Sequence, residues 1–120
     1  MKDTDLKART KAFALRIIKL FVSLPKTTEA QILGRQILKS GRSVGAQYRE
    51  ACRSRSNAEF ISKMESALQE LDETDYWLDL VEAADLCRSP DLKPLRIETQ
   101  ELIAIFIAII NNAKRNRDDG

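Results

Sequence analysis

Apolar residues recur along this chain at steps of three and four, the period of one helical face. Between Asp5 and Leu24 the row is Leu6, Thr10, Phe13, Ile17, Leu20 and Leu24, and Pro25 ends it. A second helix is predicted over 28–53, opened by a Thr28-x-x-Gln31 spacing that fits a capping box. Its inward row is Leu33, Ile37, Ser40, Val44, Tyr48 and Ala51. A third helix is predicted over 56–84, capped by Ser56-x-x-Glu59. Phe60, Met64, Ala67, Leu71, Thr74, Leu78 and Val81 form its inward row without a slip. The fourth spans 90–113, with Ser89 as cap and Pro90 in the first turn. Leu95, Thr99, Leu102, Phe106, Ile109 and Ala113 face inward on it, and residues 114–120 form a polar tail expected to fray. Short loops between long helices make neighbours antiparallel. The predicted fold is therefore all-α, a single up-down-up-down four-helix bundle over residues 1–120.

Two stretches break simple amphipathicity. Leu102 to Ile110 has no polar residue on any face, and Ile103, Ile107 and Ile110 make a second apolar row. Such a helix is either central in its own bundle or covered by a neighbouring subunit. On helix two, Gly34, Gly41, Gly45 and Cys52 share a face beside the inward row. Each glycine costs about 1 kcal/mol of helix stability relative to alanine. Close approach of another backbone offsets that loss, and the pattern leaves open whether that backbone is in the same subunit. Ile103, Ile107, Ile110, Gly41 and Gly45 are accordingly the expected oligomer interface.

Charge is distributed unevenly. The formal net charge is only +2, yet residues 1–55 hold 13 basic and 4 acidic side chains, and residues 56–86 hold 1 basic and 9 acidic. Arg35, Lys39, Arg42, Arg49 and Arg53 line one face of helix two, with Ala46 filling the single gap. With Arg55 and Lys63 nearby, this strip is the expected nucleic-acid site, acting through salt-sensitive phosphate contacts. An acidic protein surface, or plain solvation of a charged face, would account for the same pattern.

Catalytic chemistry finds little support. There is no histidine, the residue best suited to proton transfer near neutral pH. Cys52 and Cys87 lack metal or redox spacing and read as reduced thiols of a cytoplasmic protein. The longest apolar run is nine residues, against roughly 20 for a membrane span, so no membrane role is expected. Glu70 and Glu73 lie one turn apart, but carboxylate-bridged metal bundles also need Glu-x-x-His. Ser43, Gln47, Glu50, Glu70 and Glu73 are therefore read as a structural polar network completed by an arginine, with no metal and no cofactor. Tyr76 and Trp77 are expected to pack on helix one or on a neighbour.

From Gly41 to Leu80 one combination of residues is specific: Ser43, Val44, Gly45, Ala46 and Glu50, then Glu59, Phe60, Ile61 and Lys63, then Glu73, Tyr76, Trp77 and Leu78. It resembles the bacterial four-helix-bundle family named after proteins encoded in intervening sequences of 23S ribosomal RNA genes. Gln47 stands where that family usually has asparagine. The resemblance implies a small non-enzymatic protein assembling as a ring-like homopentamer. A related branch, the accessory proteins of diversity-generating retroelements, is pentameric and basic and acts with a reverse transcriptase and nucleic acid. The expectation is a non-catalytic oligomer that binds structured RNA, or DNA, through helix two, with a partner protein such as a reverse transcriptase. The alternative is a protein–protein adaptor or scaffold with no nucleic-acid contact.

Overall fold

Helix ends are set by local hydrogen bonds that the chain supplies itself. The computed structural model describes the backbone of residues 3–119 and the side chains of residues 5–116; Gly120, in the expected tail, lies outside the described residues. Four helices follow in order: α1 Asp3–Ser23, α2 Thr28–Cys52, α3 Asn57–Ala83 and α4 Leu92–Asp119. The α2 cap is Thr27 rather than Thr28, with its hydroxyl accepting from Ala30 N. Gln31 does not close a capping box; its amide donates to Pro25 O at 2.8 Å. Ser56 caps α3 by accepting from Glu59 N at 3.0 Å. At the far end of α3, Asp85 adopts φ 56°, Leu86 N donates to Val81 O, and Asp85 N donates to Glu82 O. This pair of bonds is the Schellman arrangement, built here without the usual glycine.

α4 departs from its predicted bounds at both ends. Ser89 Oγ accepts from Asp91 N at 3.2 Å, and regular helix begins only at Leu92. The helix then runs past 113 to Asp119, because no proline or glycine interrupts residues 95–119. Lys114 is held to α3 by an ion pair with Glu65 at 3.1 Å.

The cross-helix contacts establish the topology. Gly34 meets Leu24, Gly41 meets Ile17 and Gly45 meets Thr10, so α1 and α2 are antiparallel. Ser40 bonds to Thr74 and Glu50 pairs with Lys63, so α2 and α3 are antiparallel. Arg96 pairs with Glu82 and Lys114 with Glu65, so α3 and α4 are antiparallel. The result is an all-α rod of about 52 × 22 × 20 Å, with α2 between α1 and α3, and α4 closing the square. The α1–α4 edge is the loosest, and ion pairs span it.

Every member of the predicted α1 row is buried. On α3 the row begins at Ile61, with Phe60 half-buried. On α4, Ile110 is buried in the core and Ile109 only half-buried, a one-residue exchange of the expected assignment. Ile110 is therefore part of its own core and not of an oligomer interface. Each such large aliphatic side chain contributes about 1.5–3 kcal/mol by leaving water. The four buried polar residues are satisfied: Thr10 donates to Leu6 O and Thr99 to Leu95 O one turn back, while the two hydroxyl protons of Ser40 and Thr74 are shared among Gln36 O, Glu70 O and the contact between the two side chains.

The glycines also differ from expectation. A Cβ at Gly41 would stand 2.7 Å from Ile17 Cγ1, and one at Gly45 would stand 3.1 Å from Thr10 Oγ1. The backbone they admit is α1 of the same subunit, so Gly41 and Gly45 belong to the internal α1–α2 seam.

Candidate nucleic-acid interface on the second helix

Of the expected inward row of α2, Ile37, Ser40, Val44, Tyr48 and Ala51 are buried and Leu33 is half-buried, and the opposite side of the helix faces solvent. Arg35, Lys39, Arg42, Arg49, Arg53 and Arg55 are all exposed there, and Lys63 of α3 is half-buried beside them. Arg35, Arg42, Arg49, Arg53 and Arg55 make no ion pair among the described residues. Arg49 Nη2 donates to Lys7 O at 3.4 Å, which leans it toward α1. Lys63 is the exception: its ammonium pairs with Glu50 at 3.2 Å, so it already has an internal anionic partner.

Between Arg42 and Arg49 the surface dips. Thr10, Lys11 and Ala14 of α1 and Gly45 and Ala46 of α2 form the floor and wall of an open groove, with Arg42 and Arg49 at its rim. Its volume is ≈ 450 Å³. The helix seam makes the groove: Gly45 lets Thr10 approach, so no side chain fills the space above. A polyanion backbone lying in it would meet cations from both walls. Lys11 was missed in the sequence because it sits on another helix. The signal that points to it is the small-residue pair Thr10 and Ala14 at helical spacing, matched to the small residues of α2.

The expected polar network divides. Ser43 donates its hydroxyl to Lys39 O at 2.7 Å, and Ser43, Glu73 and Lys39 all lie close enough to the Glu70 carboxyl to act on it. Burial pushes the Glu70 carboxyl above its ordinary value and the Glu73 charge adds to this, while Ser43 and Lys39 oppose the rise. Glu50 belongs instead to the Lys63 pair, and Gln47 Oε1 is buried with no partner among the described residues. No arginine completes the set; the cations are lysines. The polar contact that does lock α2 to α3 is Ser40 Oγ to Thr74 Oγ1, 2.7 Å apart and buried. Trp77 lines a small cleft with Gln36, Lys39, Ser40, Glu70 and Glu73, so it packs on α2 rather than on α1. Tyr76 stacks obliquely on Trp77 with ring centroids 5.3 Å apart and is 56% exposed.

Cys52 and Cys87 are free and half-buried. Among the described residues no three potential metal ligands cluster, and no helix is long and apolar enough to cross a membrane.

A family model described as 23S rRNA-intervening sequence protein matches residues 2–108. No curated protein matches the chain. Among solved structures, the chain is similar to a Bacteroides thetaiotaomicron VPI-5482 protein described as of unknown function from the S23 ribosomal protein family. The two share 35% sequence identity with a TM-score of 0.84, over 92% of this chain and 99% of the other.

Proposed function

We propose a function from one premise: this chain belongs to the 23S rRNA-intervening sequence protein family. It is a non-catalytic, self-assembling bundle protein of the cytoplasm that binds structured RNA through the outer face of α2. The observation that carries this reading is the row of exposed arginines that make no ion pair among the described residues. Unpaired surface cations keep their full attraction for phosphate, and each phosphate contact releases a counterion.

The assembly is a homo-oligomer, the ring-like homopentamer implied by the resemblance of the Gly41–Leu80 stretch. Ile103 and Ile107, half-buried and 43% exposed respectively, lie at its subunit contact. Repetition around a ring turns one shallow groove into a multivalent surface, which gains avidity without new chemistry. A partner protein such as a reverse transcriptase is the further component of this reading.

Fluorescence anisotropy with a structured RNA at low and moderate salt tests the proposal. The wild type should bind at low salt and weaken steeply as salt rises. An Arg42→Glu/Arg49→Glu variant should bind at least about tenfold more weakly, because two rim cations become repulsive. Absence of binding at low salt, or equal binding by the variant, overturns it. If the variant also lost a protein partner and left RNA affinity intact, the strip would belong to an adaptor surface.

A further inference from the structure

Two exposed surfaces remain outside the α2 groove. On α1, Leu15, Ile18 and Val22 recur at steps of three and four on the side away from the buried row. They are 57%, 44% and 70% exposed, and with Arg16 and Lys19 they border an open apolar groove. Arg16 is occupied by Asp91, whereas the exposed Lys19 makes no ion pair among the described residues. Among the described residues no helix covers the stripe.

The second surface lies along the α3–α4 seam. Arg96, Ile103, Ile107 and Lys114 fall on one strip of α4, at steps of seven, four and seven. The two ends of that strip reach α3: Arg96 pairs with Asp79 and Glu82, and Lys114 pairs with Glu65. Facing them on α3 is the strip Glu65, Asp72 and Asp79, again at heptad steps. Its outer members are paired and its middle member, Asp72, makes no ion pair among the described residues. Ile103 and Ile107 sit opposite this gap, and Tyr76 stands one turn along, well exposed. Burial and the nearby Asp75 charge both push the Asp72 carboxyl up, a penalty that a cation at the seam would relieve.

These two surfaces match in level as well as in character. Gly41 packs on Ile17, and its neighbour Ser40 bonds to Thr74, so Ile17 and Thr74 occupy one layer of the bundle. α1 and α3 run in the same direction, which places Leu15 level with Asp72 and puts Lys19 beside the level of Tyr76. Each surface is apolar at its centre, and the free charges are of opposite sign.

We infer that the α1 stripe of one copy docks on the α3–α4 seam of the next, with Leu15, Ile18 and Val22 against Tyr76 and Ile107, and with the long Lys19 side chain reaching one turn along from the level of Tyr76 to Asp72. The inference rests on the reading that the chain assembles with itself, and names the faces that meet. The occupant is a second copy because this chain carries both halves of the complement. The contact is heterologous, since two different faces meet. Copies lying side by side at one level have no axial rise, as ring closure requires. Tyrosine at the centre of a mostly apolar contact fits the residues that dominate interface energies.

Sedimentation velocity on two variants and their mixture tests this. Ile18→Asp/Val22→Asp disables the α1 face, and Tyr76→Asp disables the seam. All three positions are exposed, so circular dichroism should show wild-type helix content. Each variant alone should be monomeric, with assembly weakened at least about 30-fold. Their equimolar mixture should form a dimer and stop there, because one intact face of each kind remains. As a second measurement, Lys19→Glu and Asp72→Lys should each weaken assembly, and the two together in one chain should restore it. Wild-type mass in either single-face variant, or a mixture that stays monomeric or forms the full assembly, overturns the inference while leaving self-assembly intact. A wild type that is monomeric at micromolar concentration overturns self-assembly itself.

Discussion

On α1 and α4, Arg9, Arg16 and Arg96 each reach carboxylates across a helix seam; on the outer face of α2, Arg35, Arg42 and Arg53 reach none among the described residues. Arg9 is the fullest case, bonding Glu98 through Nε and Nη2 and Glu101 through Nη2, at 2.7–2.9 Å. The Glu98 hydrogen bonds push its pKa further up from an already high value, so it is permanently charged. The same side-chain chemistry thus does two jobs. At the flank of a helix an arginine meets the next helix and staples it. Half a turn further round it meets only water and stays available to an outside anion. The α1–α4 edge is the most loosely approached of the four, and bidentate, partly buried ion pairs such as Arg9–Glu98 there matter more than exposed surface pairs usually do.

The comparison breaks most visibly if the α2 cations are neutralised together. Arg35→Gln, Arg42→Gln, Arg49→Gln and Arg53→Gln in one chain should lower RNA affinity at low salt by more than about 100-fold. The slope of log affinity against log salt should flatten by about 3 if each arginine contacts one phosphate. The melting temperature should stay within a few degrees, because none of the four makes an ion pair among the described residues and the one bond lost to another helix is the exposed 3.4 Å contact of Arg49 with Lys7 O.

Arg9→Leu should do the reverse. It leaves Glu98, a partly buried carboxylate, without its partner, and should cost about 1–3 kcal/mol in chemical denaturation. RNA affinity per subunit should not change. A loss of binding without a loss of stability would mean that the two sets of cations are not separate.

A smaller effect is expected at the α2–α3 lock. Thr74→Val keeps the shape and removes the hydroxyl facing Ser40, which retains its bond to Gln36 O. The cost should be about 1 kcal/mol, read from the denaturation midpoint at constant slope.

The smallest effect should be the one that depends on pH. Glu70 holds its proton more tightly folded than unfolded, so its ionisation works against the fold. That cost is absent in acid, where both states are protonated, and appears as pH rises through the ordinary glutamate range to the raised folded value. Glu70→Gln should therefore stabilise the protein slightly at neutral pH, with the gain disappearing on acidification. A gain that persists in acid would point to packing rather than charge.

Much of the fold was legible because a helix with one apolar face has only one way to turn. The α1 row was readable to the residue, since polar side chains on both flanks fix its phase. α4 was readable as a helix but not in phase: across Leu102–Ile110 every rotation buries something apolar, so Ile109 and Ile110 exchanged roles. The α2 cations were visible as a strip for the same reason as the α1 row. Lys11 and the groove beside Gly45 were not, because no spacing along α2 says which residue of α1 will lie against it.

The order of residues alone determined four helices, their breaks near Pro25, Ser56 and Ser89, and a cationic face on the second, because helical periodicity and caps act over a few neighbouring residues. Only the tertiary structure decided which charges are answered. Whether Arg42 stays free while Arg9 is clasped, whether Asp72 lacks the partner that Glu65 and Asp79 possess, and whose backbone Gly41 admits are questions of distance between helices. Ionic and packing energies fall off within a few ångströms, and those separations exist only once the four helices have packed.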